Sequence, residues 1–208
     1  MKEEQDYIRD IADIRSMMER SSRFLSLSGW AGILAGIYAL TGAFIAYKFL
    51  DFNPDAIVYS TINSVNLYPG LLNVIFLAII ILILALGTAI FLSYRKADKK
   101  GEKLWNATSK RLLVNMAVPL IAGGLLILIL ISKGLIGLIA PFTLIFYGLA
   151  LYNAGKFTYE VVKILGLIEI GLGLIGAYFV GYGLLFWALG FGVVHIIYGI
   201  YIHYRFEK

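Results

Sequence analysis

The chain has 208 residues, of which 60% are apolar and only 15% are charged, and its mean hydropathy is +0.83. A water-soluble fold could not bury so much apolar surface, so this composition predicts a membrane protein. The absence of cysteine excludes disulfides, thiolate metal sites and cysteine nucleophiles. The net charge of +5 does not indicate nucleic-acid binding, because the basic residues lie between apolar segments rather than on one face.

The first 24 residues precede any long apolar segment and predict a cytoplasmic amphipathic helix. Apolar and small residues recur along it at alternating gaps of four and three: Tyr7, Ile11, Ile14, Met18, Ser21 and Leu25. This seam fits a short coiled coil that binds a cytoplasmic protein partner or a second copy of the chain. It also fits a helix that lies on lipid headgroups or packs on its own protein, and the small number of heptads favours this interpretation.

Six apolar segments are long enough to cross the ~30 Å hydrocarbon core of a bilayer as helices. They are Leu25–Tyr47, Leu71–Tyr94, Leu112–Ile131, Leu135–Asn153, Val161–Val180 and Leu184–Tyr204. Irregular backbone cannot face lipid, so each segment is predicted to be helical. The expected fold is an all-α membrane protein, with a six-helix transmembrane domain over residues 25–204 and a cytoplasmic tail over residues 205–208.

The basic residues predict the orientation of these helices. Of the 18 lysines and arginines, 16 lie in the amino-terminal segment, in the second and fourth connections and in the tail. The first and third connections carry only Lys48 and Lys133. Because basic residues concentrate on the cytoplasmic side of a membrane, both termini are predicted to be cytoplasmic.

Two ionisable residues lie well inside the apolar segments: Glu169 in the fifth and His195 in the sixth. Each lies thirteen residues from Tyr182, at the turn between the two helices, so the side chains are expected at the same depth. The sequence predicts a hydrogen bond or an ion pair between them. It leaves open a clasp that only fixes the hairpin, which is the commoner case, and a protonation-coupled gate or relay.

Small residues share the faces of these two side chains and predict that the fifth and sixth helices approach closely. They are Gly173, Gly176 and Ala177 beside Glu169, and Ala188, Gly192 and Gly199 beside His195. Residues 171–176 match the nucleotide-binding pattern G-x-G-x-x-G, but inside an apolar helix that pattern indicates packing.

Two prolines, Pro119 and Pro141, are predicted to kink the third and fourth helices and to free backbone carbonyls that could line a cavity. With only two histidines and no cysteine, the chain offers no evident metal centre, and no cofactor is predicted. No catalytic constellation is visible beyond the acid–base pair, so an enzyme is the least favoured class.

Three stretches resemble a family of small membrane proteins from Bacteroidota. They are residues 17–24 (MMERSSRF), 144–159 (LIFYGLALYNAGKFTY) and 181–199 (GYGLLFWALGFGVVHIIYG). The resemblance covers nearly the whole chain and implies a multi-pass protein of the bacterial inner membrane. Some members carry names that suggest carotene cleavage, but this chain lacks the histidine set that iron-dependent chemistry would require.

Two functions follow from these observations. The first is a small channel-like or transporter-like bundle that moves a small solute or ion and uses Glu169 and His195 as a protonatable pair. The alternative is a sensing or interaction protein that binds a lipid or apolar ligand and signals through its amino-terminal helix. Membrane lipids are the expected partners, and a wide pore would require a homo-oligomer. The sequence does not identify the solute or the ligand.

Overall fold

The computed structural model describes residues 28–52, 70–99, 101 and 105–207, and every regular element within these ranges is helical. Six of the helices are long and apolar enough to cross a membrane, as the sequence predicts. The amphipathic helix predicted for residues 1–24 lies outside the described residues.

The six helices follow the predicted apolar segments. The first three are α1 (Gly29–Phe49), α2 (Leu71–Lys99) and α3 (Ala107–Ser132). A 3-10 turn (Ile136–Leu138) leads into α4 (Ile139–Ala154), and α5 is Glu160–Tyr178. The sixth helix, Val180–Phe206, is composite. It consists of a 3-10 turn (Val180–Tyr182), α6 (Gly183–Trp187), a π-helix (Ala188–Val194) and α7 (His195–Phe206).

The two prolines occupy different positions in their helices. Pro119 is buried inside α3, which continues past it to Ser132. Pro141 lies in the first turn of α4, where a backbone N–H would have no partner within the helix. The predicted kink at Pro141 is therefore wrong, because this proline belongs to the start of a helix and not to its middle.

The helices pack as two groups joined at the centre. α4 packs most extensively on α5 and also on α3, while α1 packs on the sixth helix and on α2. α2 is the most exposed helix, and no residue of its most apolar 18-residue stretch is buried in the bundle. A helix that is apolar on all sides and remains uncovered is typical of a segment that faces lipid.

Glycines bring neighbouring backbones into contact within both groups. A Cβ added at Gly148 would meet the carbonyl oxygen of Gly166 at 2.6 Å, and the reverse distance is also 2.6 Å. Gly29 and Gly199 face each other in the same way, with 2.5 Å in each direction. Only a residue without a side chain allows this separation, so these two pairs fix the α4–α5 and α1–α7 contacts.

The predicted small residues pack on other partners than expected. Gly192 and Gly199 face α1, and Gly173 faces α4, where an added Cβ would meet the Pro141 carbonyl oxygen at 2.8 Å. Gly176 does face the sixth helix, through Phe186 at 3.3 Å, whereas Ala177 and Ala188 are only half-buried. The prediction that these residues bring the fifth and sixth helices together is wrong for Gly173, Gly192 and Gly199. A small residue allows any neighbouring helix to approach closely, so its position in the sequence does not identify that helix.

Glu207 joins three helices at the end of the bundle where α2 finishes. Its Oε1 accepts hydrogen bonds from the Gly29 backbone N–H at 2.9 Å and from Lys96 Nζ at 3.0 Å. Its Oε2 accepts one from His203 Nδ1 at 2.8 Å. Because Ser28 makes no side-chain cap, Glu207 supplies an acceptor and a negative charge at the amino end of α1. We call Gly29, Lys96, His203 and Glu207 the Glu207 clasp.

Substitution of Gly166 tests the α4–α5 contact. Gly166→Ala is expected to lower the free energy of unfolding by about 1–3 kcal/mol, because the added methyl group would overlap the Gly148 carbonyl. Gly171→Ala in the same helix places its methyl group in open space, so no loss is expected. Unfolding in mixed detergent micelles, followed by circular dichroism, measures both. Equal stability of the two variants would contradict the assigned contact.

The Glu207 clasp predicts an acid-dependent loss of stability. Burial raises the pKa of Glu207, but the hydrogen bonds from His203, Lys96 and Gly29 and the charge of Lys96 outweigh it, lowering the pKa from 4.5 to about 2. A depressed carboxyl pKa stabilises the folded state above 4.5, and this contribution disappears as the pH falls through the folded value. The Tm should therefore fall more steeply between about pH 5 and about pH 2 for the wild type than for Glu207→Gln. If the Tm of the two proteins falls equally with pH, the ionised Glu207 does not stabilise the folded state.

Candidate functional site

Glu169 and His195 meet at the centre of the bundle, and the predicted pair is present. Glu169, in the middle of α5, is completely buried, and His195, the first residue of α7, is 5% exposed. Glu169 Oε1 lies 3.3 Å from His195 Nδ1, within ion-pair distance. The short turn between the fifth and sixth helices places both side chains at one depth, as their equal separation from Tyr182 predicts.

Both nitrogens of the His195 ring have other partners. Nδ1 lies 2.9 Å from the carbonyl oxygen of Gly190, and Nε2 lies 3.0 Å from the hydroxyl oxygen of Tyr147. A carbonyl oxygen can only accept, so Nδ1 carries the hydrogen of that bond. In the neutral ring, Nε2 then accepts the Tyr147 hydroxyl hydrogen. These contacts satisfy a neutral imidazole completely.

The carboxyl group of Glu169 has no such set of partners. Neither of its oxygens makes a hydrogen bond to any group in the described part of the chain, although both are buried. The contact with His195 Nδ1 has ion-pair distance but not hydrogen-bond geometry, because the Nδ1 hydrogen points to Gly190. Buried polar groups are normally hydrogen-bonded, so this carboxyl group is an exception within the described part of the chain.

Gly190 makes the space that the carboxyl group occupies. A Cβ at this position would overlap Glu169 Oε2 and would lie 2.6 Å from Leu144 Cδ2. Gly190 belongs to the π-helix, whose wider turn changes the hydrogen-bond pattern of the backbone and is frequent at functional sites. Its carbonyl oxygen is also the acceptor for His195, five residues later. One glycine therefore provides both the space for the acid and the partner for the base.

A set of aromatic rings extends from the Glu169–His195 pair towards the start of the sixth helix. Phe191 stacks on His195 with ring centroids 5.8 Å apart, and it contacts Tyr147 at 4.9 Å and Trp187 at 5.1 Å. Trp187 in turn lines an apolar cleft of about 150 Å³. The residues around the cleft come from α1, α2, α4 and the start of the sixth helix. Glu169 and His195 are not among them, so the rings of Trp187 and Phe191 connect the cleft to the pair.

Tyr147 and Gly190 belong to the candidate site, although the sequence does not predict it for either residue. Tyr147 lies on α4, 22 residues before Glu169, and no spacing pattern relates it to the fifth or sixth helix. Gly190 is one of several glycines in an apolar stretch, and only the packing around Glu169 distinguishes it. The one sequence signal near it is the pair of glycines, Gly190 and Gly192, just before an intramembrane histidine.

The arrangement brings together groups that can exchange protons. Among the described residues there is no group of three or more histidine, cysteine, aspartate or glutamate side chains that could hold a metal ion. No family model, curated protein or solved structure matches this chain. In the site itself, an acid, a base and a hydroxyl group share one buried volume.

The hydrogen bonds of His195 predict its tautomer. Nitrogen-15 spectra of the ring should show a protonated Nδ1 and an unprotonated Nε2, and His203→Gln assigns the signals because the chain has two histidines. Tyr147→Phe should move the Nε2 chemical shift towards the value of a ring nitrogen that accepts no hydrogen bond, and it should leave the Nδ1 shift unchanged. Tyr152→Phe, which alters an exposed tyrosine of the same helix, should change neither. A protonated Nε2 in the neutral wild-type ring would contradict the assignment.

Proposed function

We propose that this protein is a multi-pass protein of the bacterial inner membrane that moves a small solute or ion in a cycle coupled to protonation of Glu169 and His195. Support for membrane insertion comes from the six apolar helices and the uncovered surface of α2. The distribution of basic residues supports cytoplasmic termini. The single observation that carries the protonation cycle is the buried Glu169 carboxyl group, which lies beside a fully bonded histidine and has no hydrogen-bond partner among the described residues.

The cycle begins from a neutral pair. With Nδ1–H bonded to Gly190 and Nε2 bonded to Tyr147, the imidazole is neutral, and the adjacent buried carboxyl group is then most stable as the protonated acid. Release of that proton to water at one face of the membrane leaves a carboxylate 3.3 Å from Nδ1. A small rotation of the ring can direct the Nδ1 hydrogen from the Gly190 carbonyl oxygen to this carboxylate, because both acceptors contact Nδ1.

Reprotonation can pass through the ring. The Tyr147 hydroxyl gives its hydrogen to Nε2 and accepts another from its far side, while Nδ1 gives its hydrogen to Glu169. One proton is taken up from the far side of Tyr147, and the ring, the phenol and the carboxyl group are all neutral afterwards. The ring hydrogen is then on Nε2, and its exchange back to Nδ1 completes the cycle. Tyr147 and Tyr198 both pack against a buried cluster that includes Tyr159.

Proton flux into liposomes tests this function. We expect purified protein in liposomes that contain pyranine to carry protons inwards under a potassium diffusion potential set by valinomycin. Glu169→Gln should reduce the rate about tenfold or more, because an amide keeps the shape of the side chain but cannot be protonated. The matched control is Glu160→Gln, which changes an exposed acid of the same helix and should leave the rate unchanged.

Two outcomes would count against the proposal. A wild-type rate equal to that of protein-free liposomes would remove proton movement itself. A Glu169→Gln rate equal to the wild-type rate would remove the pair as its route. Circular dichroism of each variant shows whether a lost rate reflects a lost fold.

A sensing or interaction protein is the second candidate, and the apolar cleft is the observation that favours it. In that case a lipid or apolar ligand would occupy the cleft and the amino-terminal helix would contact a cytoplasmic partner. Deletion of residues 2–20 would then abolish capture of that partner while the bundle stays folded. Undiminished capture would argue against this alternative.

A further inference from the structure

The apolar cleft lies at the end of the bundle opposite the Glu207 clasp. Its walls are the last part of α1, the first part of α2, the start of α4 and the start of the sixth helix. The lining residues are Gly42, Ala43, Ala46, Phe52, Leu71, Val74, Ile75, Leu77, Ala78, Ile81, Ile136, Gly137, Ile139, Ala140, Thr143, Leu184 and Trp187. The cleft is open on one side, and the exposed residue Ala78 lies on its α2 wall.

The apolar lining of the cleft favours a hydrocarbon ligand. Apart from the Trp187 indole, the one polar side chain in the walls is Thr143, and its hydroxyl group already donates to the Ala140 carbonyl oxygen at 2.6 Å. An apolar cavity offers water too few partners and stays dry. A cavity of about 150 Å³ accommodates a hydrocarbon the size of benzene, which corresponds to several carbons of an acyl chain.

The charged residues at this end of the bundle indicate which polar group the hydrocarbon carries. Two exposed lysines lie at the same end of the bundle as the cleft: Lys48 in the last turn of α1 and Lys133 directly after α3. These are the only lysines or arginines of the described residues at this end of the bundle. Their positive charge matches the phosphate of a phospholipid headgroup.

We propose that the cleft binds one phospholipid of the surrounding leaflet, with part of an acyl chain between α2 and α4 and the phosphate near Lys48 and Lys133. The inference rests on the bilayer insertion in the proposed function and not on proton transfer at Glu169. A phospholipid accounts for both observations together, since an apolar helix would leave the two lysines without an anion and a free phosphate would not fill the apolar walls.

Quenching of Trp187 tests the position of the chain. The chain has three tryptophans, so replacing Trp30 and Trp105 by phenylalanine leaves Trp187 as the only reporter. In bilayers of phospholipid brominated on the acyl chain, the Trp187 fluorescence should be strongly quenched relative to unbrominated lipid. Ala78→Leu, which fills the cleft from α2, should remove about half of this quenching or more. Gly87→Leu, which adds the same side chain in open space on α2, should not.

A second pair of variants tests the headgroup and guards against misfolding. Lys48→Gln with Lys133→Gln should weaken retention of phospholipid through detergent exchange, measured by native mass spectrometry, while Lys110→Gln at the other end should not. Ala140→Leu fills the cleft from α4 and repeats the quenching test if Ala78→Leu does not fold.

Three results would overturn the proposal. The first is a Trp187 signal that brominated lipid leaves unchanged. The second is equal quenching in Ala78→Leu, Ala140→Leu and Gly87→Leu. The third is quenching that weakens as the protein-to-lipid ratio rises, which would indicate a second copy of the chain in the cleft. Because none of these measurements involves proton flux, failure here and failure of the Glu169 cycle are distinguishable.

Discussion

The contact between the Glu169 carboxyl group and the His195 ring organises the centre of the bundle. A buried acid with no hydrogen-bond partner is expensive in an apolar interior, and the structure keeps it beside a base whose own hydrogen bonds are complete. Three helices are needed for this arrangement, because α5 supplies the acid, α7 the base and α4 the Tyr147 hydroxyl group. The positions of α4, α5 and α7 are therefore constrained by the polar contacts of His195 with Glu169 and Tyr147.

Glycine provides the geometry that this contact requires. The Gly148–Gly166 pair lets α4 lie directly on α5, and Gly190 leaves the volume that the carboxyl group fills. The Gly29–Gly199 pair holds α1 against the other side of the sixth helix. A bundle without these contacts would need larger helix separations, and the acid, the base and the hydroxyl group would no longer share one buried volume.

Several features of this arrangement could be predicted from the sequence because they depend on local distances. The length of the apolar segments indicates six helices, and the tight turn around Tyr182 places Glu169 and His195 at one depth. Other features depend on which helices become neighbours, and periodicity does not contain that information. Gly192 has the spacing of a residue that faces the fifth helix, yet it packs on Leu40 of α1. For the same reason, Tyr147 could not be assigned to the site.

The π-helix and the cleft were also beyond prediction from the sequence. A π-helical turn depends on the balance between backbone bonds and the Gly190–His195 contact, which has no sequence signature of its own. The cleft arises where α2 and α4 leave space between them, and this is a property of the packing. The sequence did identify Lys48 and Lys133 as exceptions to the charge distribution, and both lie at the end of the bundle that holds the cleft.

The protonation state of Glu169 is the most direct test of this account. Infrared spectra of the protein in membranes at neutral pH, recorded for the wild type and for Glu169→Gln, isolate the absorption of this one carboxyl group. The account predicts the C=O absorption of a protonated acid in the wild type, its retention in Glu160→Gln and its loss in Glu169→Gln. A difference spectrum that shows only carboxylate absorption would mean that Glu169 is permanently ionised, and the proposed exchange with His195 would be wrong.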